Sequence, residues 1–187
     1  GLTVAANHFR RNSGAGGITT NGRGVFLIRN IFAYNALGGF RFASSSNRAL
    51  NNDVYANTNI GVWISSGTSN RIINNIIATN GAAGVDNDAP GTRFEFNDVV
   101  GHTANYGGSV ALAVSNGNLS ASPMFSNAAA GNFYLSGPVP LSPAIDAGTT
   151  NGTMMFDFTP VVGFARDMGV YESPFQAPTN AYYVNDV

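Results

Sequence analysis

One period constrains this chain more than any other property. The pattern Asn-x-apolar-x-x-Asn occurs at Asn7–Asn12, Asn30–Asn35, Asn52–Asn57 and Asn75–Asn80, with a weaker copy at Asn97–His102. Its first Asn advances by 23, 22, 23 and 22 residues. A second marker, Gly followed by an apolar residue, falls at Gly17-Ile18, Gly39-Phe40, Gly61-Val62 and Gly84-Val85, in steps of 22, 22 and 23. Two independent markers with one period define a repeat architecture, whose units bury their apolar faces by stacking on one another.

The apolar runs inside each repeat, such as Val25-Phe26-Leu27-Ile28 and Gly61-Val62-Trp63-Ile64, are short, β-branched or aromatic, and bounded by Asn, Gly and Ser. They predict strands rather than helices. Three strands and three bends fit one period, and each strand then pairs in parallel with its counterparts roughly 4.8 Å above and below. A leucine-rich repeat needs a Leu-x-x-Leu-x-Leu frame that this Leu-poor chain lacks. Asn suits the bends because it tolerates left-handed geometry and because its amide can bond to the same amide one coil away. Asn30, Asn52, Asn75 and Asn97 are the expected structural ladder.

With these coils the chain resembles the right-handed parallel β-helix repeat proteins of the pectate-lyase-like superfamily, through roughly residue 102. A second stretch resembles the C-terminal segment of secreted bacterial members. It comprises Ser122-Pro123-Met124-Phe125, Asn132-Phe133-Tyr134-Leu135, Ser142-Pro143-Ala144-Ile145-Asp146-Ala147-Gly148 and Asp167-Met168-Gly169-Val170-Tyr171-Glu172. The resemblance implies an all-β, right-handed parallel β-helix (a solenoid) with a capping segment, an extracellular or cell-surface location, and no particular activity. Residues 1–115 read as about five coils, 116–172 as an irregular closing segment, and 173–187 as an extended tail.

Composition removes several functions. Of 187 residues only 10% are charged, the formal net charge is −1, and all nine basic residues are Arg. That balance argues against a nucleic-acid binder driven by counterion release. No apolar run approaches the length of a membrane span. The chain has no Cys, hence neither disulfides nor thiolate chemistry. No nucleophile-elbow or phosphate-loop motif occurs, and no cofactor or metal is implied. Acids are scattered at Asp53, Asp86, Asp88 and Asp98, while His8 and His102 occupy different phases and read as solvated bend residues.

Two outward files emerge from the register. Thr19, Arg41, Trp63 and Asp86 form one, a candidate glycan face in which Arg over Trp is a cation–π pair; the alternative is a surface aromatic with incidental neighbours. Phe26, Arg48, Arg71 and Arg93 form the other, a positive strip suited to carboxylated or sulfated glycans. The alternative for the strip is Arg bridging to Glu95, Asp53 and Asp98 while its stems cover apolar surface. Beside it, Leu27, Ala49 and Ile72 and the adjacent Ile28, Leu50 and Ile73 cannot both face inward, so one set is expected as an exposed apolar stripe.

The chain starts in coil register at Gly1-Leu2-Thr3-Val4, without an amphipathic cap, and ends in the apolar run Tyr182-Tyr183-Val184. These features set the leading expectation: a structural solenoid whose copies stack end to tail, with Leu2, Val4, Tyr182, Tyr183 and Val184 at the junction. Otherwise the chain is a piece of a longer protein. The competing expectation is a carbohydrate-active or glycan-binding protein whose partner is a polysaccharide.

Overall fold

A computed structural model describes residues 1–14, 16–112, 116–137, 140–151 and 160–175. Five coils of three short strands follow one another. They are β1 (Thr3–Ala5), β2 (His8–Arg10), β3 (Ile18–Thr20); β4 (Phe26–Ile28), β5 (Ile31–Ala33), β6 (Gly38–Ala43); and β7 (Arg48–Leu50), β8 (Asp53–Tyr55), β9 (Ile60–Ser66). Then come β10 (Arg71–Ile73), β11 (Ile76–Ala78), β12 (Ala83–Asn87) and β13 (Arg93–Glu95), β14 (Asp98–Val100), β15 (Ala104–Gly107). Every third strand pairs in parallel, giving three five-stranded sheets: β1-β4-β7-β10-β13, β2-β5-β8-β11-β14 and β3-β6-β9-β12-β15.

Equivalent residues therefore form files, and the inward files are the core. Val4, Leu27, Ala49, Ile72 and Phe94 line the first sheet. Phe9, Phe32, Val54, Ile77 and Val99 line the second, with the Phe9 and Phe32 rings stacked at 5.1 Å. The second sequence marker has a steric cause. A Cβ on Gly39 would stand 2.4 Å from both Val54 Cγ1 and the Gly61 carbonyl, so the corner closes only around glycine.

The Asn ladder is present and longer than the four expected residues. Asn52 Oδ1 accepts from Asn30 N (2.9 Å) and Asn30 Nδ2 (3.1 Å), and Asn52 Nδ2 donates to Asn75 Oδ1 at 2.8 Å. Asn97 continues the file to Asn118, whose Oδ1 accepts from Asn97 N at 2.9 Å. The second Asn of the motif builds another ladder through Asn12, Asn35, Asn57 and Asn80. It ends on His102, whose Nδ1 accepts from Asn80 N (2.9 Å) while Nε2 lies 3.0 Å from the Ile77 carbonyl. The Nε2–H tautomer satisfies both contacts, so His102 stands in for an Asn rather than being a solvated bend residue.

The left-handed residue is the one before each ladder Asn, contrary to expectation: Ala6, Arg29, Asn51, Asn74 and Phe96 have φ between 50° and 58°. The Asn is selected for its amide, and its predecessor carries the backbone cost of roughly 1–2 kcal/mol.

Residues 116–119 add part of another coil, with Leu119 bridging in parallel to Asp98. The chain then returns along the flank of the solenoid. A hairpin of β16 (Phe125–Asn127) and β17 (Asn132–Leu135) brings Phe133 and Leu135 onto the outer side of the second sheet, followed by Ala144, Ile145, Met168 and Val170. Arg29, Asn51 and Asn74, three of the left-handed residues, hold this segment: Arg29 Nε donates to the Val170 carbonyl (2.9 Å), Asn51 Nδ2 to that of Asp167 (3.2 Å), and Asn74 Nδ2 to that of Thr149 (2.7 Å).

The expected exposed stripe is absent. Ile28, Leu50 and Ile73 are 6%, 0% and 0% exposed and form a second buried cluster, separate from the inward file. Both sides of these strands are buried, which a period-two argument made for a half-buried strand does not allow.

Candidate ligand-binding face

Thr19, Arg41, Trp63 and Asp86 stand in successive rungs of the third sheet, as their spacing requires. The Arg41 guanidinium carbon lies 4.1 Å from the Trp63 ring centroid. Arg41 Nε donates to Ser65 Oγ (2.8 Å), and that hydroxyl lies 3.2 Å from the Phe42 carbonyl it donates to. Trp63 Nε1 donates to Asp88 Oδ2 at 3.1 Å, and Asp88 Oδ1 accepts from the Ser109 amide and hydroxyl, both at 2.9 Å. Backbone donation from Ser109, then the Trp63 and Ser109 side chains, hold Asp88 below the usual carboxylate range. Asp86 is raised, first by burial and then by the Asp88 charge.

A cleft of about 320 Å³ opens beside this pair, over the first three coils. Leu37 and Ile60 wall it, Gly16, Gly38 and Gly39 give it depth, and Thr19, Asn59 and Arg41 supply polar groups. Gly38 has φ 147°, and a Cβ there would stand 2.4 Å from the Ile60 carbonyl, so no side chain can take its place. Among the described residues no acceptor reaches the two Nη atoms of Arg41. Sequence reasoning found the Arg41–Trp63–Asp86 file but missed Asp88, Ser65 and Ser109. Each lies off the file, so its role depends on side-chain reach rather than register.

Arg48, Arg71 and Arg93 also stack, in the first sheet, below Phe26. They do not form a uniform positive strip. Arg93 pairs with Glu95 (Nε–Oε2 2.6 Å), and the Arg48 guanidinium lies 5.2 Å from the Phe26 ring centroid. Burial and then the Arg71 charge lower the pKa of Arg48, which nevertheless stays a cation. Asp53 and Asp98 belong to an outward file of the second sheet with Ile31 and Ile76, so of the three suggested carboxylates only Glu95 pairs with the Arg file.

Those two acids lie in the seam between solenoid and returning segment. Asp53 is 0% exposed; its Oδ1 accepts from Val170 N at 3.3 Å, and burial raises its pKa well above the ordinary value. Asp98, raised by burial to about 6, accepts from Ala121 N at 3.0 Å. Asp167, raised chiefly by burial to about 7, accepts from Asp146 N (2.8 Å) and Ser173 N (2.6 Å). No group of three or more His, Asp or Glu among the described residues is arranged to hold a metal ion.

Of the expected assembly residues, Leu2 is 63% exposed and Val4 packs on the core. Tyr182, Tyr183 and Val184 lie outside the described residues. No helix among the described residues is long and apolar enough to cross a membrane.

A family described as right handed beta helix region matches residues 1–131, and the chain belongs to it. No curated protein and no solved structure matches.

Proposed function

We propose that this right-handed β-helix chain works outside the cell as a glycan-binding solenoid, taking a negatively charged saccharide in the cleft beside Arg41 and Trp63. The observation that carries the reading is the state of Arg41. Its face is stacked on an indole, its Nε is held by Ser65, and its Nη atoms have no acceptor among the described residues. A guanidinium fixed in this way loses little freedom on pairing with a carboxylate or sulfate. The glycine floor and the walls of Leu37 and Ile60 suit the less polar faces of a sugar ring.

Binding rather than turnover fits the state of Asp88, the acid that holds the Trp63 indole. Both oxygens of Asp88 are engaged, which leaves it poorly placed to take a proton from a ligand. The test is retention of the purified chain on an immobilised acidic oligosaccharide against a neutral one of equal length. Arg41→Ala and Trp63→Ala are each expected to weaken retention by about 10- to 100-fold, the scale of a hydrogen-bonded charge. Wild-type protein retained no better by the acidic column would remove the proposal.

End-to-tail stacking of copies is the second reading. It is motivated by the exposed apolar side chain of Leu2. A chain that sediments as a monomer at every concentration tried would remove it.

A further inference from the structure

We infer that Asp88 is a positioning residue for the Arg41–Trp63 site, acting through the indole; the inference rests on the binding reading above. Trp63 is half-buried on the outer side of β9, and its indole Nε1 donates to Asp88 Oδ2. An outward side chain without such an anchor has several staggered rotamers open to it. Arg41 lies on the indole, so wherever the ring goes the guanidinium loses or keeps its support.

Asp88 is itself fixed. Its backbone N–H donates to the Ile64 carbonyl (2.8 Å), and its other carboxylate oxygen takes the two Ser109 donors from the next coil. The result is a chain of contacts in which successive coils each contribute one member: Ser109, Asp88, Trp63 and Arg41. Ser65 steadies the last of these from the neighbouring rung. An acid merely stabilising a bend has no need of the indole; here one oxygen serves the bend and the other serves the ring.

Trp63 is the only Trp of the chain, so its fluorescence reads the anchor without interference. In ligand-free Asp88→Ala, emission is expected to shift to longer wavelength and acrylamide quenching to rise. Retention on the acidic oligosaccharide should fall by about tenfold, the equivalent of one charge-assisted hydrogen bond. Ser109→Ala, which leaves the Trp63 contact in place and removes part of the support behind it, is expected to move both readouts the same way by less. It serves as the second variant should Asp88→Ala fail to fold. Emission and quenching identical to wild type in folded Asp88→Ala would overturn the inference. So would undiminished retention by Asp88→Ala under conditions where Trp63→Ala has lost it. Should the wild type itself not be retained, the binding proposal falls, while the ligand-free fluorescence still decides whether Asp88 holds the indole.

Discussion

Asn52→Ala is expected to cost about 3–5 kcal/mol, seen as a lower denaturant midpoint in chemical unfolding. The amide of Asn52 sits at 0% exposure in the middle of the ladder. Its Oδ1 serves two donors of Asn30, and its Nδ2 faces Asn75 Oδ1, the Leu27 carbonyl and the Leu50 carbonyl, at 2.8, 2.9 and 3.2 Å. Truncation leaves the buried Asn30 N–H without its acceptor, at about 1–3 kcal/mol, and adds a cavity where no water has easy access. Against a total stability of about 5–15 kcal/mol for an ordinary domain, that is a large fraction. Asn52→Asp should be worse near neutral pH, because one carboxylate oxygen would then face three acceptors in a buried site. Asn7→Ala provides the contrast. Asn7 is exposed at the edge of the same file, and its loss should cost about 1 kcal/mol or less. Equal effects at Asn7 and Asn52 would show that the ladder does not carry the load assigned to it.

Stability is also expected to fall, not rise, between pH 4 and pH 8. An unfolded Asp titrates near 3.9. In the folded chain burial raises Asp98 to about 6 and Asp167 to about 7, and raises Asp53 well above its ordinary value. Over that interval the folded state binds more protons than the unfolded one. Its advantage is complete below about pH 4 and is lost as the pH climbs through the folded values. The groups nearest these acids offset little of this. Asp167 faces Asp146 and Glu172, which add to its raising, and the charged neighbours of Tyr171 in the seam are Asp53 and Arg29. The seam should loosen before the solenoid, since Asp53 and Asp98 lie beneath the returning segment. Hydrogen exchange at pH 8 against pH 5 should therefore show protection lost first within 122–137, 140–151 and 160–173. Asp53→Asn keeps the acceptor for Val170 N and removes the charge. It is expected to raise stability at pH 8 by about 1–3 kcal/mol, the scale of a buried unsatisfied group, and to flatten the profile. A stability that is level or rising from pH 5 to pH 8 would contradict this.

What the sequence disclosed follows from periodicity. Asn30, Asn52, Asn75 and Asn97, the glycine corners, and the stacking of Arg41 on Trp63 all depend on register alone, and register can be counted. His102 escaped because it fills the Asn position with a different chemical group that makes equivalent hydrogen bonds. Asn47 and Asn70, linked at 3.0 Å in a further corner, escaped because they lie outside the motif. The burial of Asp53 and Asp98 was illegible for another reason. It goes with a non-repeating segment that comes back along the flank, and no pattern within the coils records where that segment will lie. Asp88 belongs with these: it was visible as an acid in a bend, but its partner is fixed by reach across a rung.

The central claim is that residues one period apart are direct neighbours, and engineered cysteines test it in a chain that has none of its own. Arg48 and Arg71 are partners in adjacent strands, whereas Arg48 and Arg93 stand two strands apart. One rung is about 4.8 Å and two are about 9.6 Å; a disulfide spans Cα atoms about 4.4–6.8 Å apart. Oxidation of the folded Arg48→Cys/Arg71→Cys chain should close a bond readily, while Arg48→Cys/Arg93→Cys should stay reduced under the same conditions. Failure of the first pair in folded protein, or equal closure of both, would contradict the stacked register from which the site, the ladder and the seam are all built.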